Sequence, residues 1–419
     1  MRLIGRLAVA AAAALTLCAA AITTGATPAV ADTGTHQATT GTFNVLTYNV
    51  AGLPEGLSSS HPAKNTPLIS PRLGAYDIVN VQEDFNYHAA LYAGDDHPYR
   101  TPTSGPAVFG DGLNTLSDLP YDGFQRVKWK RCNGTDCLTP KGFTFARVRL
   151  AEGVYLDLYN LHPNAGTTDA DLAARRANIT QLSDYIAAHS ADNAVLVMGD
   201  TNTRYTRTAD NIRDLATRNG LTDAWVDLVR GGSAPPAGSD ALVCDPDHVT
   251  DACEVVDKVL YRSGPGLSLA ATRYHNAHTA FLDADGKPLS DHYPHTVDFS
   301  WRTSDALRAS DQFGGPHGTA FNDADDLPAT HGGTGGTPVS LTLGPAEHLT
   351  SVTLTRGQKD GRTRVFSAAF TTDTGRTVTA GTPTSDAVTY TAPAGWRIVG
   401  FTGRAGDEID KLGVIYAPR

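Results

Sequence analysis

The stretch AVLVMGDTN, residues 194–202, joins an apolar run of strand length to a polar tetrapeptide. Short apolar runs bounded by turn-forming residues predict buried strands. Further runs of this form are TFNVLTYNV (42–50), YDIVNVQE (76–83), VYLDLYNLH (154–162), DKVLYRS (257–263) and YPHTVDFSW (293–301). The segments DLAARRANITQLSDYIAAHS (171–190) and TADNIRDLATRNG (208–220) have the pattern of helices. Strands mixed with helices over this length predict a sheet-based α/β domain.

Polar side chains lie at the ends of these predicted strands. Strand ends converge on one rim of a sheet, so residues that are far apart in the chain can meet in one cleft. Each residue alone is also compatible with an ordinary turn or a satisfied polar group, and only the whole set indicates a site. Its members are Asn49, Glu83, His162, Asp200, Asn202, Asp257, Asp291 and His292.

Three members of the set predict a metal site. Asn49, Glu83 and Asp291 offer the hard oxygen ligands that suit Mg²⁺, with Mn²⁺ or Ca²⁺ as alternatives. The sequence contains no cysteine cluster or dense histidine set of the kind that binds softer metals.

With TYNVAGLP (47–54), VQE (81–83), LH (161–162), MGDTN (198–202), DKVL (257–260) and SDHYP (290–294), the chain resembles the endonuclease/exonuclease/phosphatase superfamily. The resemblance covers most of residues 42–301 and implies a four-layer α/β sandwich, in which two packed mixed sheets are flanked by helices. It also implies a metal-dependent phosphoric diester hydrolase.

The resemblance assigns roles to matching positions. Asn49 and Glu83 would hold the metal, with Asp291 close to the same ion. Asp200 would orient or deprotonate the attacking water, and Asn202 would contact phosphate. His292, oriented by Asp257, would stabilise the transition state, and His162 would contact a phosphate oxygen or assist the leaving group.

Within the superfamily, SDHYP and the segment KRCNGTDCLTPKGFTFARVRL (130–150) resemble secreted bacterial sphingomyelinase C enzymes. Two departures are LHPNAG (161–166) and the lack of a Trp/Phe-rich hairpin within 262–289, where Tyr274 and Phe281 are expected in the core or a loop. A phospholipid headgroup is therefore the expected substrate. A secreted DNase-like endonuclease is the alternative, because Arg126, Lys128, Lys130 and Arg131, and also Arg204 with Arg207, could make a groove locally basic.

Residues 312–419 predict a separate all-β domain, which begins with a glycine-rich run (313–336) and continues with short alternating strands. GTAFND (318–323), GFTGRAG (400–406) and DEIDKLGVIY (407–416) resemble jacalin-like lectin domains, which implies a β-prism and a carbohydrate site at Gly318, Gly406, Asp407, Glu408 and Asp410. Asp407 and Glu408 stand where many members carry aromatic residues, so a purely structural domain is an open alternative. A catalytically silent sugar-binding adhesin is a second alternative for the whole protein.

The first 31 residues predict a signal peptide, with Arg2 and Arg6 before an apolar run and Ala29-Val30-Ala31 as the cleavage site. The protein is therefore expected to be secreted and extracellular, without a transmembrane segment, and we expect a monomer. The formal net charge of −10 argues weakly against tight binding to a nucleic-acid backbone.

Four cysteines remain after the signal peptide, and they form two close pairs in the sequence. In an oxidising compartment the simplest pairing is between neighbours, Cys132 with Cys137 and Cys244 with Cys253. A zinc site is the alternative.

Overall fold

The computed structural model describes residues 39–105, 110–151, 153–191, 193–304, 307–323 and 339–419. The predicted signal peptide and the C-terminal part of the glycine-rich run, residues 324–336, lie outside these residues. The described chain divides into two compact units, one made of Thr39–Ala151 with Tyr155–Arg302 and the other containing Thr303–Arg419. Among the described helices, none is both long and apolar enough to cross a membrane.

The first unit contains two six-stranded mixed sheets. One has the order β11-β12-β1-β2-β4-β3 and the other β5-β6-β7-β8-β10-β9. The strands are β1 (Thr40–Asn49), β2 (Ile78–Gln82), β3 (Tyr99–Arg100), β4 (Asn114–Ser117), β5 (Tyr121–Lys128), β6 (Gly142–Ala151), β7 (Val154–Leu161), β8 (Val195–Asp200), β9 (Thr222–Asp223), β10 (Asp257–Arg262), β11 (Leu267–Asn276) and β12 (His295–Thr303). All six predicted strands of this region are present.

Five α-helices accompany the sheets: α1 (Pro62–Ile69), α2 (His88–Ala93), α3 (Asp169–His189), α4 (Ile212–Asn219) and α5 (Ala224–Leu228). Short 3₁₀ helices cover Ser70–Ala75, Gly134–Cys137 and His278–Phe281. The long helix α3 begins at a capping box, in which Thr168 and Asp171 bond to each other's backbone N–H groups. The predicted fold class is therefore confirmed.

The inner strands of the two sheets are joined by buried side-chain amides. Nδ2 of Asn80 on β2 donates to the carbonyls of Tyr159 (3.2 Å) and Met198 (3.3 Å) in the other sheet. Asn160 on β7 donates in return to the carbonyl of Val81 (3.0 Å) and accepts from Gln82 Nε2 (2.9 Å). Buried Thr47 and Thr115 also bond to these amides, so a polar network helps to fix one sheet relative to the other.

The second unit is all β, as predicted, and its strands form one hydrogen-bonded network. They are β13 (Arg308–Ala309), β14 (Phe313–Gly314), β15 (Thr319–Asn322), β16 (Leu349–Lys359), β17 (Arg362–Thr372), β18 (Thr377–Gly381), β19 (Asp386–Thr391), β20 (Trp396–Ala405) and β21 (Ile409–Pro418). The core contains Trp396, Val352, Leu354 and Val414. The alternating apolar pattern of VSLTLG (339–344) also predicts a strand, but this prediction is wrong: the segment pairs with no described strand, and Leu341 and Leu343 pack on this core instead.

The two disulfides join Cys132 to Cys137 and Cys244 to Cys253. The neighbour pairing is confirmed, and the alternative of a zinc site on these cysteines is excluded. Tyr274 and Phe281 are both buried, which confirms that they are not exposed membrane anchors.

The amide bonds between the sheets generate a stability prediction. Asn80→Leu keeps the side chain's approximate volume but removes the amide. Two backbone carbonyls then lose the Nδ2 donor, and the Thr115 hydroxyl loses the Oδ1 acceptor. We expect a loss of roughly 1–3 kcal/mol in the free energy of unfolding, because buried polar partners lose their hydrogen bonds. Urea unfolding followed by circular dichroism measures it, with a lower midpoint and an unchanged m-value. An unchanged midpoint would show that these bonds add nothing to the packing of the sheets.

Candidate active site

The predicted site residues come from both sheets of the first unit. β1 and β2 are parallel, and β7 and β8 are parallel, so each pair ends at one edge of its sheet. β10 and β12 run antiparallel to β8 and β1, and they begin at these same edges. The edges therefore carry Asn49, Glu83, His162, Asp200, Asp257 and His292.

His292 and Asp257 form a close pair. His292 Nδ1 lies 3.0 Å from Asp257 Oδ2 and 3.2 Å from Oδ1, while His292 Nε2 lies 3.6 Å from Asp200 Oδ2. Burial by itself would lower the pKa of His292, but the carboxylates of Asp257 and Asp200 raise that pKa well above its usual value. The imidazole is therefore held in its charged form, with one N–H directed at Asp257.

Asn49 joins carboxylates from the two sheets. Its Nδ2 donates to Glu83 Oε1 (3.1 Å) and to Asp200 Oδ2 (3.2 Å), and its Oδ1 accepts the backbone N–H of Ala51 (3.0 Å). Glu83 has a left-handed backbone, with φ of 59°, which turns the chain at the end of β2. Burial raises the pKa of Glu83, although the nearby Lys141 opposes this shift.

Asp200 and Asn202 are set by the turn that follows β8. Asp200 Oδ1 accepts the backbone N–H of Asn202 (2.8 Å), and Asn202 has φ of 51°. Asn202 Nδ2 lies 3.5 Å from the carbonyl of Pro163, which follows His162. Burial raises the pKa of Asp200, while the charge of His292 opposes the shift. The GDTN turn thus directs a buried carboxylate and an amide toward the same cleft.

His162 differs from His292 in its electrostatics. Its Nε2 lies 3.3 Å from Asp200 Oδ2 and 3.2 Å from Lys141 Nζ. Burial first, and then the positive charges of Lys141 and His292, lower its pKa well below the usual value. The surroundings therefore favour the neutral form of His162 and the charged form of His292.

Lys141 is a site residue that the sequence analysis missed. It is buried, and its Nζ pairs with Asp136 Oδ1 (2.5 Å) in the loop closed by the Cys132–Cys137 disulfide. Lys141 comes directly before β6, and β6 lies beside β7, which leads into His162. This position next to a predicted site residue is the signal that could have indicated its role.

Asp291 lies at the rim rather than in the buried group. It is exposed, and its carboxylate accepts a hydrogen bond from the Ser59 hydroxyl. Next to it, the Ser290 hydroxyl donates to the backbone carbonyl of Asn49 (2.7 Å). The structure therefore brings together Asn49, Glu83 and Asp200, while Asp291 bonds to the loop that follows β1.

Two groups of side chains in the site offer ligand atoms for a cation. Possible ligand atoms of Asp200, Asp257 and His292 lie within 4.8 Å of one another. His292 would have to release its proton to serve as a ligand, because a protonated imidazole has no free lone pair. The Glu83 carboxylate fits better, because carboxylate oxygens suit Mg²⁺ and because a cation would offset the cost of burying it. Asn49 turns Nδ2 toward Glu83, so its amide would have to turn over to offer Oδ1 to the same ion.

In the second unit, three of the predicted carbohydrate-site residues are neighbours. Gly318 has φ of 74°, and a side chain there would collide with the Asp410 carboxylate, while Gly406 lies against Gly318. Asp407 is exposed. Both remaining carboxylates are paired with cations: Arg364 contacts Asp410, and Lys359 and Arg364 contact Glu408.

Known proteins match both parts of the chain. Residues 65–247 match Endonuclease/Exonuclease/phosphatase family 2, and residues 318–415 match the Jacalin-like lectin domain. The sequence-based resemblance is confirmed for both parts. The first match begins after Asn49 and ends before Asp257 and His292, so it does not cover the whole predicted site.

Curated sphingomyelinases from Mycobacterium bovis and Mycobacterium tuberculosis are 42% identical to the chain over 273 residues. The alignment covers 62% of this chain and 53% of theirs, so the chain spans about half the length of these relatives. Among solved structures, sphingomyelinase C from Streptomyces griseocarneus has a TM-score of 0.43 and 20% identity, covering 62% of this chain and 99% of its own. A Staphylococcus aureus beta toxin variant with bound magnesium ions has a TM-score of 0.44 and 17% identity, covering 61% and 98%.

The His292–Asp257 contact generates a prediction about protonation. Asp257→Asn removes the negative charge nearest to His292 Nδ1, so we expect the pKa of His292 to fall. An NMR titration of the histidine ring protons, with His292 assigned by substitution, measures the change.

Asp251→Asn is the matched control, because Asp251 pairs with another histidine, His275, at 3.1 Å. This control should leave the pKa of His292 unchanged. The proposed electrostatic cause fails if Asp257→Asn has no more effect than Asp251→Asn.

Proposed function

We propose that the protein is a secreted, Mg²⁺-dependent phosphodiesterase of the sphingomyelinase C type. The observation that carries the proposal is a buried group in which a charged His292, a neutral His162 and the Asp200 carboxylate face one another at the meeting edges of two sheets. The 42% identity to curated sphingomyelinases supports the choice of a phospholipid headgroup as substrate. We further propose a signal peptide at 1–31, a catalytic domain at 42–301 and a jacalin-like domain at 312–419.

The proposed mechanism assigns the acid and base roles from the opposite pKa shifts. Glu83 and Asn49 would hold Mg²⁺, with Asp291 at the rim close to the same ion. The bound ion would neutralise part of the charge of the phosphodiester. Asp200, a buried carboxylate whose pKa is raised, would orient the attacking water and accept its proton.

The histidines and Asn202 complete the proposed mechanism. His292, kept charged by Asp257, would donate a hydrogen bond to a phosphoryl oxygen as negative charge grows there. His162 would contact another phosphate oxygen or donate a hydrogen bond to the leaving oxygen as its bond to phosphorus breaks, and that oxygen would take its final proton from solvent. Asn202 would bind phosphate through its side-chain amide. All these groups are in place before substrate binds, so little reorganisation is needed in the transition state.

The contacts of the basic residues favour phospholipid over nucleic acid. The Arg126 guanidinium donates to both carboxylate oxygens of Asp111, at 2.7 and 2.9 Å. Arg204 donates to the carbonyl of Glu254, and Arg207 to Asp210 at 2.7 Å. Half of the cations proposed for a nucleic-acid groove are thus committed to internal bonds, and Lys128, Lys130 and Arg131 remain exposed.

Metal dependence is tested by removal and replacement of the ion. EDTA should abolish hydrolysis, and Mg²⁺ in excess should restore it, because the Glu83 and Asn49 ligands are expected to bind substrate phosphate poorly without a cation. Release of phosphocholine from sphingomyelin vesicles is the readout. Full turnover in the chelator contradicts a metal mechanism.

The catalytic assignment is tested with His292→Ala and Asp200→Ala. Each should lower turnover by ~10²-fold or more, because both groups would act in the transition state. His275→Ala is the matched control, since His275 also pairs with an aspartate but lies outside the predicted site. Loss of activity only in proportion to loss of folded protein would contradict the assignment.

Substrate choice is settled by one preparation assayed on sphingomyelin, phosphatidylcholine, plasmid DNA and RNA, with Asp200→Ala as the blank. We expect phosphocholine release from sphingomyelin to exceed any cleavage of nucleic acid. Nicking of plasmid without lipid hydrolysis would instead favour the DNase-like alternative. Glycan binding without any phosphoesterase activity would favour the adhesin.

A further inference from the structure

A small cavity lies beside the Cys132–Cys137 disulfide, outside the group of residues assigned to catalysis. Its volume is about 30 Å³, and it is partly open to solvent. Its lining includes the cations Lys128, Arg131 and Lys141 and the side chains of Trp129 and Thr139. A volume of this size holds a water molecule or a group only slightly larger, so the cavity admits a small polar group and not a whole substrate.

The lining has an excess of positive charge. Asp136 is its carboxylate, and that group is already satisfied by Lys141 Nζ (2.5 Å) and by the backbone N–H of Ala165 (2.6 Å). Within the part of the chain that the structure describes, the side chains of Lys128 and Arg131 form no ion pair. Two uncompensated cations therefore line a cavity in a protein whose formal net charge is −10.

The wall that carries these cations is held by buried bonds. Asn178 Nδ2 donates to the carbonyl of Arg131 (2.7 Å), and Asn178 Oδ1 accepts the backbone N–H of Asn164 (3.0 Å). On the opposite side of the loop, the Thr139 hydroxyl is buried and bonds to no group among the described residues. It is available to donate to a ligand in the cavity.

We propose that this cavity binds a phosphate group. Lys128 and Arg131 would supply the charge and the Thr139 hydroxyl a further donor, and phosphate oxygens accept such charge-assisted hydrogen bonds. The phosphate may be free or belong to a lipid headgroup, and both sources present the same oxygens. Leu138, which follows the disulfide and is 76% exposed, would be able to contact the apolar part of a lipid.

The test measures phosphate binding to the full-length protein by calorimetry, with inorganic phosphate as the probe. Lys128→Gln and Arg131→Gln should each weaken binding by about tenfold, because each removes a charge-assisted hydrogen bond. Lys130→Gln is the matched control, since it removes an equal charge from an exposed residue of the same segment that does not line the cavity. Thermal unfolding checks that all three variants are folded.

A second arm uses phosphatidylcholine vesicles with and without about one fifth phosphatidic acid, and binding is measured by sedimentation in the Asp200→Ala background. If Lys128→Gln and Arg131→Gln weaken binding to the vesicles but not to inorganic phosphate, the ligand is a lipid headgroup. If they weaken binding to inorganic phosphate only, the ligand is free phosphate. Either result, or both together, supports the proposal.

The proposal is overturned if neither probe binds, or if Lys130→Gln weakens binding as much as the cavity variants do. The second outcome would mean a diffuse attraction to surface charge. Retention of wild-type affinity in the cavity variants would place the bound phosphate at the active site instead. None of these measurements requires hydrolysis, so their failure is distinguishable from failure of the proposed phosphodiesterase activity.

Discussion

The buried amides that join the two sheets are the constraint on which the active site depends. Asn80 and Gln82 lie on one sheet and Asn160 on the other, and their hydrogen bonds cross the apolar interior. Apolar packing alone tolerates small displacements of one sheet over another. An unpaired buried amide costs roughly 1–3 kcal/mol, so these bonds favour a single alignment. That alignment brings Asn49, from one sheet, within hydrogen-bond distance of Asp200, from the other.

In the cleft that the aligned strand ends form, the pKa values of the two histidines shift in opposite directions. His162 is buried and His292 is partly buried, so desolvation disfavours the charged form of each. His292 overcomes this cost because Asp257 contacts its Nδ1, whereas His162 has the ammonium of Lys141 beside its Nε2. A pair of titratable groups whose pKa values are pushed apart is the arrangement that separates acid and base roles. The difference between the two pKa values follows from the charges beside each imidazole, because the two side chains are chemically the same.

The sequence predicted the central strands and the polar residues at their ends, because buried strands leave an apolar signal and their ends leave a polar one. It did not predict the strands β3, β4, β5 and β11. In β5 and β11 polar residues are interspersed, and β3 has two residues, so their apolar signal is weak. Lys141 was missed as a site residue because its role comes from the neighbouring strand that ends at His162. The outward position of Asp291 depends on a hydrogen bond from Ser59, which lies 232 residues away in the chain.

The Cys132–Cys137 disulfide shows how a local constraint supports a distant part of the site. It closes a short loop, so the chain-entropy model gives it a stabilisation of only about 2 kcal/mol, which is modest for a chain of this size. Its larger effect is local, because the loop carries Asp136, which bonds both to Lys141 and to the backbone of Ala165 after β7. The position of Lys141, and with it the neutral state of His162, is therefore tied to the conformation of a loop that the disulfide restricts.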